Sequence, residues 1–169
     1  MTDRYDELVL KYAGEYRVDA RLIKAIVAAE SEFNPIAMSP KGARGLMQVM
    51  PGTGESVGMP RRLLNDPESN IRAGTAYLQT LFRTAWKMFN LPGADFQRAP
   101  LWLIQKVIAA YNAGPRFLRK GWYYRQTRSY IRKVILFYRS PITDILRQPA
   151  PDKSLPQISM TSYAGVYPL

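Results

Sequence analysis

The sequence predicts an all-α domain, and three observations carry that expectation. Apolar residues recur at helical spacing over most of the first 140 positions, capping residues and prolines bound these stretches, and no two-residue alternation is sustained. Heptads and internal repeats are absent as well, which sets aside coiled coils and solenoids. A chain of 169 residues with 47% hydrophobic content suffices for one buried core, so a single globular unit is expected.

Tyr5, Leu8, Val9 and Tyr12 lie three and four apart and predict a first helix. Asp19, a good N-cap, precedes Leu22, Ile23, Ile26 and Val27, the stripe of a second. Asp66-Pro67 joins a capping side chain to a proline suited to a first helical turn. The stripe that follows, Ile71, Gly74, Tyr77, Leu78, Leu81, Phe82, Ala85, Trp86 and Phe89, makes this the longest helix. Pro100 opens a further helix through Leu101, Ile104, Val107 and Ile108. It closes near Gly114-Pro115, where glycine takes a left-handed cap and proline cannot continue the ladder. A last helix is expected from about Thr127 to Tyr138. Asn34 to Gly45 and Pro51 to Asn65 are rich in turn residues, which argues against long regular elements and suits loops that wall a groove. After Ser140, Pro141, Pro149, Pro151, Pro156 and Pro168 leave no period, so 1–140 reads as the domain and 141–169 as an extended, irregular, proline-rich tail, either packed on the domain or disordered.

Composition narrows the chemistry. Without cysteine or histidine there is no thiolate nucleophile, no Ser/His pair and no histidine metal site, leaving carboxylates, amides, hydroxyls and Lys/Arg. Twenty-four Lys and Arg against 13 Asp and Glu give a formal charge of +11, which favours a polyanionic partner or serves as a solvated basic surface. Apolar stretches such as 22–29 and 107–111 are far shorter than the ~20 residues a bilayer requires, so a soluble protein with no transmembrane segment is expected. The N-terminal residues lack the basic start and apolar core of a secretory signal.

Glu30 lies three and four residues after Val27 and Ile26 and therefore faces inward, while Glu32 lies roughly 200° further round and faces out. A carboxylate that ends an apolar stripe at a helix C-terminus is costly to ionise, so its pKa is expected to be raised, as a general acid near neutrality requires. The same position also suits a Glu that only completes a buried hydrogen-bond network.

The residues around it decide between these roles. Glu30-Ser31-Glu32-Phe33-Asn34-Pro35 is followed by Gly42-Ala43-Arg44-Gly45-Leu46-Met47-Gln48-Val49-Met50-Pro51 and by Ala109-Ala110-Tyr111-Asn112-Ala113-Gly114-Pro115. These segments, with a looser match from Asp66-Pro67 through Asn70-Ile71 and Ala73-Gly74 to Tyr77-Leu78, resemble the motifs of the soluble lytic transglycosylase domain, family 1. The resemblance runs from about Tyr16 to Phe137. It implies a lysozyme-like helical fold with an active-site groove. It also implies cleavage of the bond between N-acetylmuramic acid and N-acetylglucosamine without water, leaving a 1,6-anhydro ring. By the same resemblance Glu30 matches the catalytic acid/base, Ser39, Gln48, Met50 and Tyr111 match groove-lining positions, and Asn112 is a motif residue whose side chain either lines the groove or braces a turn.

A single carboxylate is chemically coherent. Ordinary glycosidases need two, one of them to supply or activate the attacking group; here the substrate's own 2-acetamido group and 6-hydroxyl take the second role, which gains from proximity. Asp66 is better explained as an N-cap and Glu32 as a solvated helix face. Gln48, Tyr111 and the Gly45 loop suit hydrogen bonds to the sugars, and Met47, Met50, Trp122, Tyr123 and Tyr124 are candidate apolar or aromatic faces, or core. The sequence departs from the family at Gln126-Thr127, where a Glu-Thr pair usually opens the last helix, so Gln126 is a candidate groove residue with altered peptide recognition. Arg116, Arg119, Lys120, Arg125 and Arg128 make the preceding segment unusually basic, suiting either wall anions or a solvated edge.

The expected function is that of a peptidoglycan lytic transglycosylase in the bacterial cell envelope, periplasmic or secreted, with no metal and no organic cofactor. Expected partners are peptidoglycan glycan strands and other cell-envelope proteins, not nucleic acid. The rivals are a hydrolytic muramidase on the same fold, an inactive wall-binding module and a basic helical nucleic-acid binder.

Overall fold

The computed structural model describes residues 3–93 and 95–145. A 3-10 turn over Asp3–Tyr5 leads into α1 (Asp6–Tyr16), which buries Val9, Tyr12 and Ala13. Next comes α2 (Ala20–Ser31), whose N-cap Asp19 accepts from the Arg21 amide at 2.8 Å, as its sequence position predicts. Every residue of α2 from Leu22 to Ala29 is buried. A helix enclosed on all sides is the centre of a domain rather than its skin, and α2 packs on both α1 and the last helix.

The stretch 51–65 contains α3 (Pro51–Ser56) and a 3-10 turn over Arg61–Leu63. Sequence patterning missed α3 because six residues with two glycines show no period. The longest element is α4 (Pro67–Met88), capped by Asp66, whose Oδ2 accepts from the Ser69 amide at 2.8 Å. Then come α5 (Leu101–Ala113) and α6 (Arg125–Tyr138), joined by a 3-10 turn over Pro115–Leu118. Pro100 stands at the N-cap rather than in the first turn of α5. Gly114 closes α5 at φ 99° and ψ 158°, a positive-φ extended conformation rather than a left-handed helical cap. The fold is all-α, with no strand among the described residues and only isolated bridges from Arg44 to Met38 and Val49. No helix of the described residues is long and apolar enough to cross a membrane.

Two buried polar side chains join these elements. Asn70 on α4 is fully buried; its Oδ1 accepts from the Met47 amide at 2.8 Å, and its Nδ2 donates to the carbonyls of Arg44 (2.8 Å) and Leu64 (2.7 Å). One amide thus satisfies three backbone groups that would otherwise be stranded in the interior. Backbone packs against it so closely that a Cβ on Gly45, at φ 71°, would come within 2.6 Å of the Leu64 carbonyl oxygen. Gly74 is equally constrained, since a Cβ there would lie 2.9 Å from Met47 Cβ.

Lys24 is the second. It is 1% exposed, pairs with Asp6 at 2.7 Å and Asp3 at 3.3 Å, and donates to the Asp144 carbonyl at 3.1 Å. Of the segment expected to be extended, residues 141–145 are described, and they pack on the domain. Pro141–Thr143 forms a 3-10 turn, Thr143 and Ile145 are buried, and Arg21 pairs with Asp144 at 3.3 Å. Residues 146–169 lie outside the described residues.

Replacing Asn70 with Ala strands three buried backbone groups, each worth about 1–3 kcal/mol when unpaired. We expect a loss on the order of 3–5 kcal/mol in urea denaturation. A loss below about 1 kcal/mol would mean that water or a rearranged loop replaces the amide.

Candidate active site

A cleft of about 540 Å³ opens where the C-terminal end of α2, the loop 39–50 and the α5–α6 connection meet. Glu30, Ser39, Gln48, Met50, Tyr111, Asn112 and Gln126, the seven residues singled out in the sequence, all line it. Lys41, Arg116, Phe117, Tyr124 and Thr127 complete much of the wall. Glu30 is the only carboxylate among the lining residues, and Lys41 and Arg116 are the only cations.

Glu30 reaches the cleft because α2 ends immediately after it. Glu32 and Phe33 both have positive φ, 50° and 64°, so the backbone reverses within two non-glycine residues and turns away from the carboxylate. Such conformations carry local strain, and strained backbone tends to gather at functional sites. The exposed carboxylate of Glu32 lies 4.0 Å from Lys133, in keeping with a solvated role.

The environment of Glu30 explains its ionisation. Burial pushes its pKa up from 4.5 to about 7, against the opposing pull of a hydrogen bond from Tyr130 and the charge of Lys133. The Tyr130 hydroxyl donates to Glu30 Oε1 at 2.6 Å. Lys133 Nζ donates to the Ala29 carbonyl at 2.8 Å and so sets a cation against the negative end of α2. The tyrosines nearby keep their protons: burial, reinforced by the Glu30 charge, holds both Tyr130 and Tyr111 well above the ordinary tyrosine range. The arrangement is a carboxyl poised between its two forms near neutrality, able to give a proton to an oxygen in the cleft and to take one back.

Several lining residues are committed to the frame. The Tyr111 hydroxyl donates to the Met47 carbonyl at 2.9 Å, and its ring packs on Tyr77 with centroids 5.5 Å apart. Gln48, at φ 45°, spends its Nε2 on the carbonyls of Ala37 and Gly45, both at 3.0 Å. Both were expected to hydrogen-bond the sugar; the structure commits their donors to the backbone and leaves their oxygens as acceptors. Ser39 Oγ accepts from the Ala43 amide at 3.0 Å and retains its hydroxyl proton. Met47 is fully buried against Gly74, so of its two candidate roles it is core, whereas Met50 is 41% exposed in the cleft wall. Tyr123 is half-buried and packs near Phe117, while Trp122 and Tyr124 are exposed.

Sequence reasoning missed Tyr130. The available signal was its place one residue before Ile131 and four before Val134, on the edge of the buried face of α6. A tyrosine on such an edge needs a partner for its hydroxyl.

A family model described as the transglycosylase SLT domain matches residues 7–134. Among curated proteins the chain is similar to the membrane-bound lytic murein transglycosylase F of Vibrio cholerae, 38% identical over 111 residues, covering 66% of this chain and 18% of that protein. It is also similar to the membrane-bound lytic murein transglycosylase C of Yersinia pestis, 41% identical over 120 residues, covering 66% and 31%. The chain thus spans less than a third of the length of these relatives. Among solved structures, an inactive mutant of the lytic transglycosylase Slt from Pseudomonas aeruginosa superposes with a TM-score of 0.62 at 28% identity, covering 83% of this chain and 26% of that one. The 70 kDa soluble lytic transglycosylase from Escherichia coli gives 0.60 at 28% identity, covering 79% and 23%.

The carboxyl resonance of Glu30, followed by NMR, should titrate near 7. Tyr130→Phe removes a hydrogen bond that favours the ionised form and should move the midpoint higher, and Lys133→Ala should act in the same direction by removing a positive charge. A midpoint at the ordinary value of 4.5 in the unaltered protein would contradict the enclosed environment described here.

Proposed function

The chain belongs to the transglycosylase SLT domain family, and from that membership we propose that it is a peptidoglycan lytic transglycosylase with Glu30 as its catalytic acid and base. The bond cut is the β-1,4 linkage from N-acetylmuramic acid to N-acetylglucosamine, and the product ends in a 1,6-anhydro ring. The observation that carries this reading is the lone enclosed carboxylate among the cleft-lining residues.

The step balances with that one group. Protonated Glu30 gives its proton to the bridging oxygen as the bond to the muramic anomeric carbon breaks, and N-acetylglucosamine leaves as an alcohol. The 2-acetamido carbonyl shields the cationic carbon. Glu30, now a carboxylate stabilised by the Tyr130 hydroxyl, takes the proton of the 6-hydroxyl as that oxygen bonds to the anomeric carbon. The enzyme is returned to its starting protonation state, and no water is consumed.

In this reading Ser39, Gln48, Met50, Tyr111, Asn112 and Gln126 form the wall along which the glycan lies. Work on that polymer requires the protein to act in the bacterial cell envelope, in the periplasm or after secretion, where other envelope proteins are further partners.

Four measurements test the reading. Mass spectrometry of muropeptides released from purified sacculi should show anhydro-muramic ends; reducing ends, heavier by one water, would replace transglycosylation with hydrolysis. Glu30→Gln should lower the rate by ~10²–10⁴ or more. The unaltered carboxyl favours its neutral form in the folded state, so stability present below about 4.5 is lost as pH rises towards about 7. Glutamine escapes that loss, and the thermal midpoint of Glu30→Gln should hold or rise above pH 7; unfolding would make Glu30 a network residue instead. Finally, Gln126→Glu should alter cleavage of peptide-bearing strands more than of peptide-free glycan. Equal effects on both would remove Gln126 from peptide contact.

A further inference from the structure

The segment 116–124 between α5 and α6 carries an aromatic and cationic cluster that the proposed chemistry does not use. Trp122 is 53% exposed and Tyr124 56%. Their rings meet edge to face with centroids 5.0 Å apart, and Tyr124 meets Phe117 in the same way at 5.8 Å. Phe117 and Tyr124 line the cleft, so the stack runs from the cleft wall outward to Trp122. Cations flank it: Lys120 Nζ lies 5.5 Å from the centre of the Trp122 ring, and the Arg116 guanidinium 5.3 Å from that of Phe117. Arg116 itself lines the cleft.

The domain core does not require this arrangement. Phe117 and Leu118 fill the buried positions of the segment, and about half of the surface of each outer ring stays exposed. Two large aromatic side chains exposed side by side leave apolar surface in water, and their interlocked packing holds them in fixed orientations. Rings held in fixed orientations with about half their surface exposed are preorganised for a partner that is itself flat on one side and apolar there.

We infer that Trp122 and Tyr124, with Arg116 and Lys120, form an outer subsite that receives a sugar ring bearing a carboxylate. This rests on the reading above that a glycan strand occupies the cleft. Continuity with the cleft wall favours the same strand running onward over a different partner. Pyranose C–H faces suit an aromatic platform, and the cations over Phe117 and Trp122 suit an anionic substituent beside the ring. Within the strand the muramic residue, with its lactyl group and the peptide carboxylates attached to it, meets both demands; the neutral N-acetylglucosamine meets only the first.

The test measures binding in a Glu30→Gln background, so that strands are held and not cut, with glycan strands carrying free peptide carboxylates and the same strands amidated. Trp122→Ala should weaken binding of both by about tenfold, as loss of an aromatic anchor does at other interfaces, and Trp122→Phe should restore part of it. Arg116→Ala with Lys120→Ala should weaken only the carboxylate-bearing strands and abolish the preference for them. In the uncompromised enzyme Trp122→Ala should raise KM on long strands with little change in kcat. Unchanged binding by Trp122→Ala would overturn the subsite, and equal losses on amidated strands in the double variant would overturn the carboxylate assignment. If the unaltered protein releases no anhydro ends yet strand binding still depends on Trp122, the proposed activity fails and the subsite stands.

Discussion

The side-chain amide of Asn70 is the constraint on which the cleft depends. The loop 39–50 is held internally by turn hydrogen bonds and by isolated bridges around Arg44, but these do not tie it to the helices. By accepting from Met47 and donating to Arg44, Asn70 clamps that loop to the rigid axis of α4 at two points, and by donating to Leu64 it ties in the segment that leads to α4. The Met47 carbonyl is then placed to receive the Tyr111 hydroxyl from α5, which extends the same network to the wall beside Glu30. Gly45 and Gly74 belong to this constraint, because any side chain at either would occupy the space that Asn70 or Met47 fills.

Electrostatics at the cleft is a balance between exclusion of water and two deliberate exceptions to it. Burial alone drives Glu30 toward its neutral form, and Tyr130 and Lys133 restrain that drive. Both come from α6, which packs along α2, so the ionisation of a residue on one helix is set by the registration of another. A shift of one helical turn in α6, about 5.4 Å, would separate Tyr130 from the carboxylate.

Much of this was legible in the sequence, and the parts that were not share a cause. Asp19 and Asp66 announced α2 and α4 because capping is a local interaction between residues two or three apart. Most of the cleft residues were legible through resemblance, since Glu30, Gln48, Met50, Tyr111 and Asn112 lie in three short motif segments; Ser39 lies between them, and Gln126 stands where the sequence departs from the family. Tyr130 was not, because its partner is 100 positions away and nothing beside it records that pairing. Lys24 was hidden more thoroughly: a lysine between Ile23 and Ala25 reads as a solvated interruption of an apolar face, and its burial is tolerable because Asp6, Asp3 and the Asp144 carbonyl meet it there. Gln48 and Tyr111 show the converse limit. Residue type predicted hydrogen bonding correctly, but the partner was the protein's own backbone, which competes for the same donors that a ligand would use.

The Lys24 ammonium group has a topological consequence. It touches the side chain of Asp3 and the backbone of Asp144, so the first and last described stretches of chain meet at a single nitrogen. That meeting point lies six residues before Glu30 on the same helix, about 9 Å along its axis from the cleft end. Loss of that single ammonium group would therefore release both described stretches of chain at once, which makes its burial a clasp rather than an isolated ion pair.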